Sequence, residues 1–135
     1  MLSRSVNTAQ SQPPPGTFEV HQRRLDGGIA VVAAEGELDL STAPRLKWAM
    51  VDALQAGAES MVLDLSPATF MDSTTLGMLI GVRRTLREGE RLTIVCPPGD
   101  VLKIFEFAGM DEAFAIFPTL DEALAQARGH AARSS

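Results

Sequence analysis

The sequence has little of what disulfide bonding, metal binding and acid–base catalysis require. Its single cysteine, Cys96, cannot form an internal disulfide, so the chain suits a reducing compartment. Because Cys96 ends an apolar strand, we predict a buried and inert thiol. Neither of the two histidines, His21 in a predicted strand and His130 near the C-terminus, is placed to act as a catalytic base. We therefore expect no catalytic residue, no resident metal and no cofactor.

Other functional classes are excluded by motif and charge. The sequence contains no nucleophile elbow, no phosphate-binding loop and no dinucleotide fingerprint. No apolar run approaches the roughly 18 residues of a membrane span, and no apolar stretch of a secretory signal follows Arg4. The formal net charge of −5 disfavours binding to nucleic acid. We expect a cytoplasmic protein that neither inserts into a membrane nor contacts nucleic acid directly.

The composition predicts one globular domain flanked by two tails. With 135 residues, 45% of them hydrophobic and 21% charged, the chain is long enough for a single core. Residues 1–16 are polar and end in Pro13-Pro14-Pro15-Gly16, which predicts a disordered tail. Residues 130–135 are predicted to be a second disordered tail, so the folded domain is expected at residues 17–129.

Strand and helix patterns alternate along this domain, which predicts a single α/β domain with a mixed sheet. Strands are predicted at Thr17–Arg24, Ile29–Gly36, Met61–Leu65, Leu92–Cys96 and Ala115–Phe117. Helices are predicted from Ser41 to Gly57, from Ser73 to Glu88, from Val101 to Ala108 and from Thr119 onward.

Two polar loops lead from strands into helices, at residues 36–42 and 70–77. Loops of this kind lie at one edge of an α/β sheet, where ligands and partners usually dock. Ser41 and Ser73 are candidate helix caps, a role that stabilises a helix by about 1 kcal/mol. Alternatively, Asp72 is the cap and Ser73 faces solvent at the first helical position. A further alternative is a divalent metal ion bound by Asp39, Asp64 and Asp72.

Gly77 and Gly81 are one helical turn apart in the second helix, where each costs about 1 kcal/mol relative to alanine. They leave a smooth strip that suits close approach of another backbone, from this chain or from a partner. Met78 beside the strip offers an adaptable apolar contact.

These segments resemble the bacterial anti-sigma factor antagonists, the free-standing STAS domains. The resemblance extends over about Phe18 to Ala127. It rests on Gly36-Glu37-Leu38-Asp39, Val62-Leu63-Asp64-Leu65-Ser66, Phe70-Met71-Asp72-Ser73-Thr74, Leu76-Gly77, Leu92-Thr93-Ile94-Val95, Phe105 through Gly109-Met110, and Pro118-Thr119-Leu120-Asp121-Glu122-Ala123-Leu124.

The resemblance implies a mixed sheet with about four helices packed mainly on one face, and a partner-switching function. The unphosphorylated antagonist would bind an anti-sigma factor that is also a serine kinase, which frees the sigma factor. Phosphorylation of Ser73 would release the antagonist, and a serine phosphatase would reset it. The residues assigned to partner contact are Asp39, Leu40, Ser41, Asp72, Ser73, Thr74, Thr75, Gly77, Met78 and Gly81.

The sequence departs from the family at Thr75, where a small residue, often glycine, is usual. Its β-branched side chain is expected to hinder the kinase or alter partner choice, and Thr74 or Thr75 is an alternative phosphate acceptor. Two other functions are weighed against the antagonist. One is a STAS subunit constitutively bound to a membrane transport complex, and the other, disfavoured by the histidine positions, is a hydrolase with Ser73 as nucleophile.

Overall fold

The computed structural model describes residues 17–134, and within them the chain forms six strands and four helices. The strands are β1 (Phe18–Leu25), β2 (Ile29–Leu38), β3 (Ser60–Asp64), β4 (Ala68–Met71), β5 (Arg91–Val95) and β6 (Ala115–Phe117). The helices are α1 (Ala43–Gln55), α2 (Ser73–Arg84), α3 (Asp100–Phe107) and α4 (Leu120–Ser134).

The strands form one mixed sheet in the order β1-β2-β3-β5-β6, with β4 paired to β2 outside this path. β1 and β2 form an antiparallel hairpin, and all other pairs are parallel. β3 pairs with the first half of β2, from Ile29 to Ala33, and β4 pairs with its end, from Gly36 to Leu38. The predicted mixed sheet is thereby confirmed.

Alternate side chains of the central strands enter two separate cores, as expected for a sheet covered on both faces. On one face Val32, Leu63 and Ile94 pack with residues of α1, α2 and α3. On the other face Val31, Val62 and Val95 pack against Ala123, Leu124 and Ala127 of α4. Three of the four helices thus share a face, as the resemblance implied.

β4 was missed by the sequence analysis, which placed a loop between β3 and the second helix. Its four residues follow a turn at Pro67, and a bulge at Gly36 and Glu37 shifts the register where β2 changes partners. Gly36 has φ +99°, and an added Cβ would lie 2.0 Å from the carbonyl oxygen of Thr17. Only glycine fits this backbone position.

Two predicted boundaries were also wrong. α2 ends at Arg84 rather than at Glu88, with Thr85 as its C-cap. α4 continues to Ser134, although a disordered tail was predicted from residue 130. The tail predicted at residues 1–16 lies outside the described residues. Within residues 17–134, no helix is both long and apolar enough to cross a lipid bilayer.

Candidate functional site

The two polar loops meet because they follow paired strands. Leu38 at the end of β2 is paired with Met71 at the end of β4, and both side chains are buried. The amide nitrogen of Asp72 donates to the carbonyl oxygen of Leu38 over 3.0 Å. The residue that follows each strand is an aspartate, so Asp39 and Asp72 begin the two loops side by side.

Asp39 organises the first loop. Its Oδ1 accepts hydrogen bonds from the Ser41 hydroxyl at 2.7 Å, the Ser41 amide at 2.9 Å and the Thr42 amide at 3.2 Å. The bond from the Ser41 hydroxyl, reinforced by the two amides, lowers the pKa of Asp39 below its ordinary value and outweighs the opposing effect of burial. Asp39 therefore carries a negative charge at neutral pH.

The predicted helix cap at Ser41 was wrong. α1 begins after Thr42, whose Oγ1 accepts from the Asp39 amide at 2.8 Å and donates to the carbonyl oxygen of Glu37 at 2.9 Å. Pro44 occupies the first turn of the helix, where its missing N–H costs nothing. Ser41 and Leu40 are left exposed at the tip of the loop.

Asp72 is the N-cap of α2, so the alternative assignment of the cap is confirmed. Its Oδ1 accepts from the Thr75 amide at 3.0 Å and from the Thr75 hydroxyl at 3.2 Å. This arrangement leaves Ser73 as the first helical residue, with its side chain exposed, and Thr74 is exposed beside it.

Thr75 does not belong to the exposed surface. It has no solvent-accessible area, and both its amide and its hydroxyl are bonded to Asp72. Its assignment to partner contact, and its suggested role as a phosphate acceptor, are therefore wrong. The methyl-bearing side chain is buried under the start of the helix and is not accessible to a partner protein.

Gly77 and Gly81 are exposed on α2, and an added Cβ at either position would meet no atom within 4 Å outside the helix backbone. Within residues 17–134, no other part of the chain approaches this strip closely. Close approach by a partner stays a prediction. Met78 is half-buried between them.

An apolar groove of about 470 Å³ lies between α1 and α2, and Thr74, which follows Ser73 in the chain, lines it. Of the residues assigned to partner contact, Leu40, Thr74 and Met78 line it. The α1 side of this groove was not predicted from the sequence; it is formed by Ala43, Pro44, Lys47, Trp48 and Val51. Trp48 is 71% exposed and Leu40 is 72% exposed, which is unusual for such large apolar side chains. The available signal was that Trp48 lies outside the apolar stripe of Leu46, Met50 and Ala53.

Asp39, Asp64 and Asp72 do not gather around a common point. Asp64 bonds to the amide and hydroxyl of Ser66 at 3.0 and 2.6 Å, while the other two acids organise their own loops. Among the residues that the structure describes, the one group suited to a metal lies elsewhere, at Glu19, His21 and Glu35. The alternative of a metal bound by the three aspartates is therefore wrong.

Comparison with known proteins gives consistent results. Residues 22–123 match the family model of the STAS domain. The chain is 29% identical over 102 residues to the anti-sigma-F factor antagonist RsfB of Mycobacterium tuberculosis, an alignment that covers 76% of this chain and 84% of RsfB. A crystal structure of an anti-sigma factor antagonist from Mycobacterium paratuberculosis superposes with a TM-score of 0.81 at 28% identity, covering 87% of this chain and 99% of that one. The anti-sigma factor antagonist SpoIIAA in its unphosphorylated form superposes with a TM-score of 0.69 at 25% identity, covering 82% of this chain and 97% of that one.

Proposed function

Because the chain belongs to the STAS domain family, we propose that it is an anti-sigma factor antagonist switched by phosphorylation of Ser73. The related proteins that carry this role support the proposal at the level of general function. The observation that carries it is the position of Ser73, which is exposed at the start of α2 and precedes Thr74, a residue that lines an apolar groove. We propose that the protein acts by binding and has no catalytic activity of its own.

The docking surface consists of the two loop tips at Asp39–Ser41 and Asp72–Thr74, together with the groove between α1 and α2. The groove offers large apolar side chains that lose water when a partner covers them, and tryptophan is enriched among residues that dominate binding energy. We assign Trp48 and Leu40 to this apolar centre. Gly77 and Gly81 extend the surface along α2, where they allow close approach of a partner backbone.

Phosphorylation would make this acidic surface more negative without disturbing the fold. A phosphate on Ser73 adds about −1.5 to −2 charge next to Asp72 and near the ionised Asp39. Within a desolvated interface, such like charges cost several kcal/mol, and about 3 kcal/mol already corresponds to a roughly hundredfold loss of affinity.

The folded protein itself can accommodate the phosphate. The first intrahelical bond of α2 runs from the Leu76 amide to the Asp72 carbonyl oxygen, so the amides of Ser73 and Thr74 precede the helical ladder. These amides and the positive end of the helix dipole favour an anion at this position. Release of the partner would therefore follow from repulsion at the interface, and unfolding is not required.

The proposed partners are an anti-sigma factor that is also a serine kinase, and a serine phosphatase that acts on phosphorylated Ser73. The kinase would transfer the terminal phosphoryl group of ATP to the Ser73 hydroxyl, and the phosphatase would remove it by hydrolysis. Thr74 is the neighbouring exposed hydroxyl and the main competitor as acceptor.

The proposal is tested by incubating the purified protein with ATP and each candidate anti-sigma kinase from its source organism. Phosphate is then located by mass spectrometry, and complex formation is followed by size-exclusion chromatography. We expect one phosphate on Ser73, none on a Ser73→Ala variant, and unchanged modification of a Thr74→Ala variant. A stable complex with no phosphate would indicate a constitutive adaptor. Neither phosphate nor complex, with copurification of a transporter, would favour a subunit of a transport complex.

A further inference from the structure

We propose that Glu19, His21 and Glu35 form a binding site for a divalent transition-metal ion, with Zn²⁺ as the best match. The site lies on the hairpin of β1 and β2 and is independent of the function proposed above. In this group, Nε2 of His21 is 3.5 Å from Oε1 of Glu19 and 3.6 Å from Oε1 of Glu35. All three ligand atoms lie within 4.8 Å of one another.

The separations suit a single small cation. Zinc lies about 2.0–2.2 Å from imidazole nitrogen and carboxylate oxygen in tetrahedral sites, which places neighbouring ligand atoms roughly 3.3–3.6 Å apart. The two distances from His21 fall in this range before any side-chain adjustment. An imidazole with two carboxylates also selects zinc and its neighbours over Mg²⁺ and Ca²⁺, which prefer oxygen ligands alone.

The hairpin holds the three residues in register. Glu19 and Glu35 are directly paired across the antiparallel ladder, and His21 is two residues from Glu19 on the same strand. Residues at this spacing project from one face of a sheet. The backbone therefore presents all three side chains together, and a metal would need only small rotamer changes.

The pairing of Glu19 with Glu35 also favours a cation. Two carboxylates directly opposite each other across a strand pair destabilise it. A divalent ion would neutralise this repulsion and tie the edge strand β1 to the centre of the sheet. The side chains of Glu19, His21 and Glu35 are 59%, 61% and 46% exposed, which leaves open a route for the ion and a position for water as a further ligand.

The site is separate from the docking surface. Glu35 shares a face of β2 with Val31, which packs towards α4, whereas α1 and α2 cover the opposite face. Metal binding would therefore act on the β1–β2 hairpin and leave the groove between α1 and α2 unchanged.

The experiment is a calorimetric titration of the full chain with ZnCl₂, followed by NMR of the histidine rings. We expect one zinc ion per chain, with the His21 ring signals shifted on saturation. His21→Ala should abolish zinc binding. Glu19→Gln and Glu35→Gln should each lower the zinc affinity more than tenfold, because loss of a residue that only hydrogen-bonds to a metal ligand already lowers affinity by roughly tenfold.

Two variants serve as matched controls. Gln22→Ala changes an exposed residue of the same strand on its other face, and His130→Ala removes the only other histidine. Both should bind zinc as the unmodified protein does. Absence of zinc uptake by the unmodified protein would overturn the proposal, as would equal affinity in His21→Ala.

Discussion

The amide of Asp72 donates a hydrogen bond to the carbonyl oxygen of Leu38, and this 3.0 Å contact joins the two loops of the proposed docking surface. This hydrogen bond extends the pairing of β2 with β4 by one residue beyond Met71. Asp39 and Ser73 are the next residues of the two segments. The relative position of the acidic loop and the proposed phosphorylation site, Ser73, is therefore set by backbone geometry. A phosphate added to Ser73 would meet a surface whose shape is already fixed.

Removal of the Asp72 carboxylate should destabilise the start of α2. Asp72→Ala loses the cap, at about 1 kcal/mol, and leaves the buried Thr75 hydroxyl without its acceptor, at about 1 kcal/mol more. We expect the free energy of unfolding in urea to fall by about 2 kcal/mol with an unchanged m-value. Asp72→Asn retains an acceptor oxygen and should lose less than half as much. An alanine variant as stable as the unmodified protein would show that the cap contributes little.

Trp48 should matter for binding and not for folding. Because its side chain is 71% exposed, Trp48→Ala is expected to change the free energy of unfolding by no more than about 0.5 kcal/mol. The Trp48→Ala variant should bind the anti-sigma factor with a free energy weaker by about 2 kcal/mol, which is a roughly thirtyfold loss of affinity. Phe107→Ala is the matched control, since Phe107 is 82% exposed on α3 and does not line the groove. Equal effects of the two substitutions on affinity would remove the groove from the docking surface.

Gly36 should be the least replaceable glycine of the hairpin. Gly36→Ala combines a positive φ with a collision at the Thr17 carbonyl, so we expect a loss of more than about 3 kcal/mol in the free energy of unfolding. Gly27→Ala has a similar φ, +85°, but no atom within 4 Å of the added Cβ, and should cost only about 1 kcal/mol. Thermal denaturation of both variants separates the collision from the backbone strain. Equal losses would mean that β1 moves aside.

Cys96 should be unreactive in the folded protein. Burial, with the charge of Glu106 adding to it, raises the pKa of Cys96 from 9.0 to about 11. At pH 8 the thiolate fraction is then about a hundredfold lower in the folded protein than in the unfolded chain. We expect alkylation by iodoacetamide at pH 8 to be slower by at least this factor without denaturant, as followed by mass spectrometry. Equal rates in both states would contradict the buried position.

The sequence predicted the sheet well because its central strands are nearly continuous apolar runs, which few other structures accommodate. β4 escaped prediction because it has only four residues after Pro67 and depends on pairing with the end of β2. Such a long-range pairing leaves no periodic signal in so short a segment.

The site was predicted in part for a similar reason. The family resemblance proposes Asp39, Asp72 and Ser73 as site residues. Both Asp72 and Ser73 are good helix caps, however, and only the backbone geometry decides between them. Thr75 was misplaced because a threonine among hydroxyl residues looks like a surface residue, whereas its hydroxyl is satisfied internally by Asp72. The exposure of Trp48 depends on how α1 and α2 pack, which the sequence does not show.

The central claim is tested most directly by the affinity of the unmodified and the Ser73-phosphorylated protein for the anti-sigma factor of its source organism. Both forms are prepared from one batch, and their affinities are measured by isothermal titration calorimetry. ATP is left out so that the kinase reaction does not take place during the titration. The account predicts that phosphorylation weakens binding by at least about a hundredfold while the circular dichroism spectrum stays the same. Equal affinities of the two forms would contradict it.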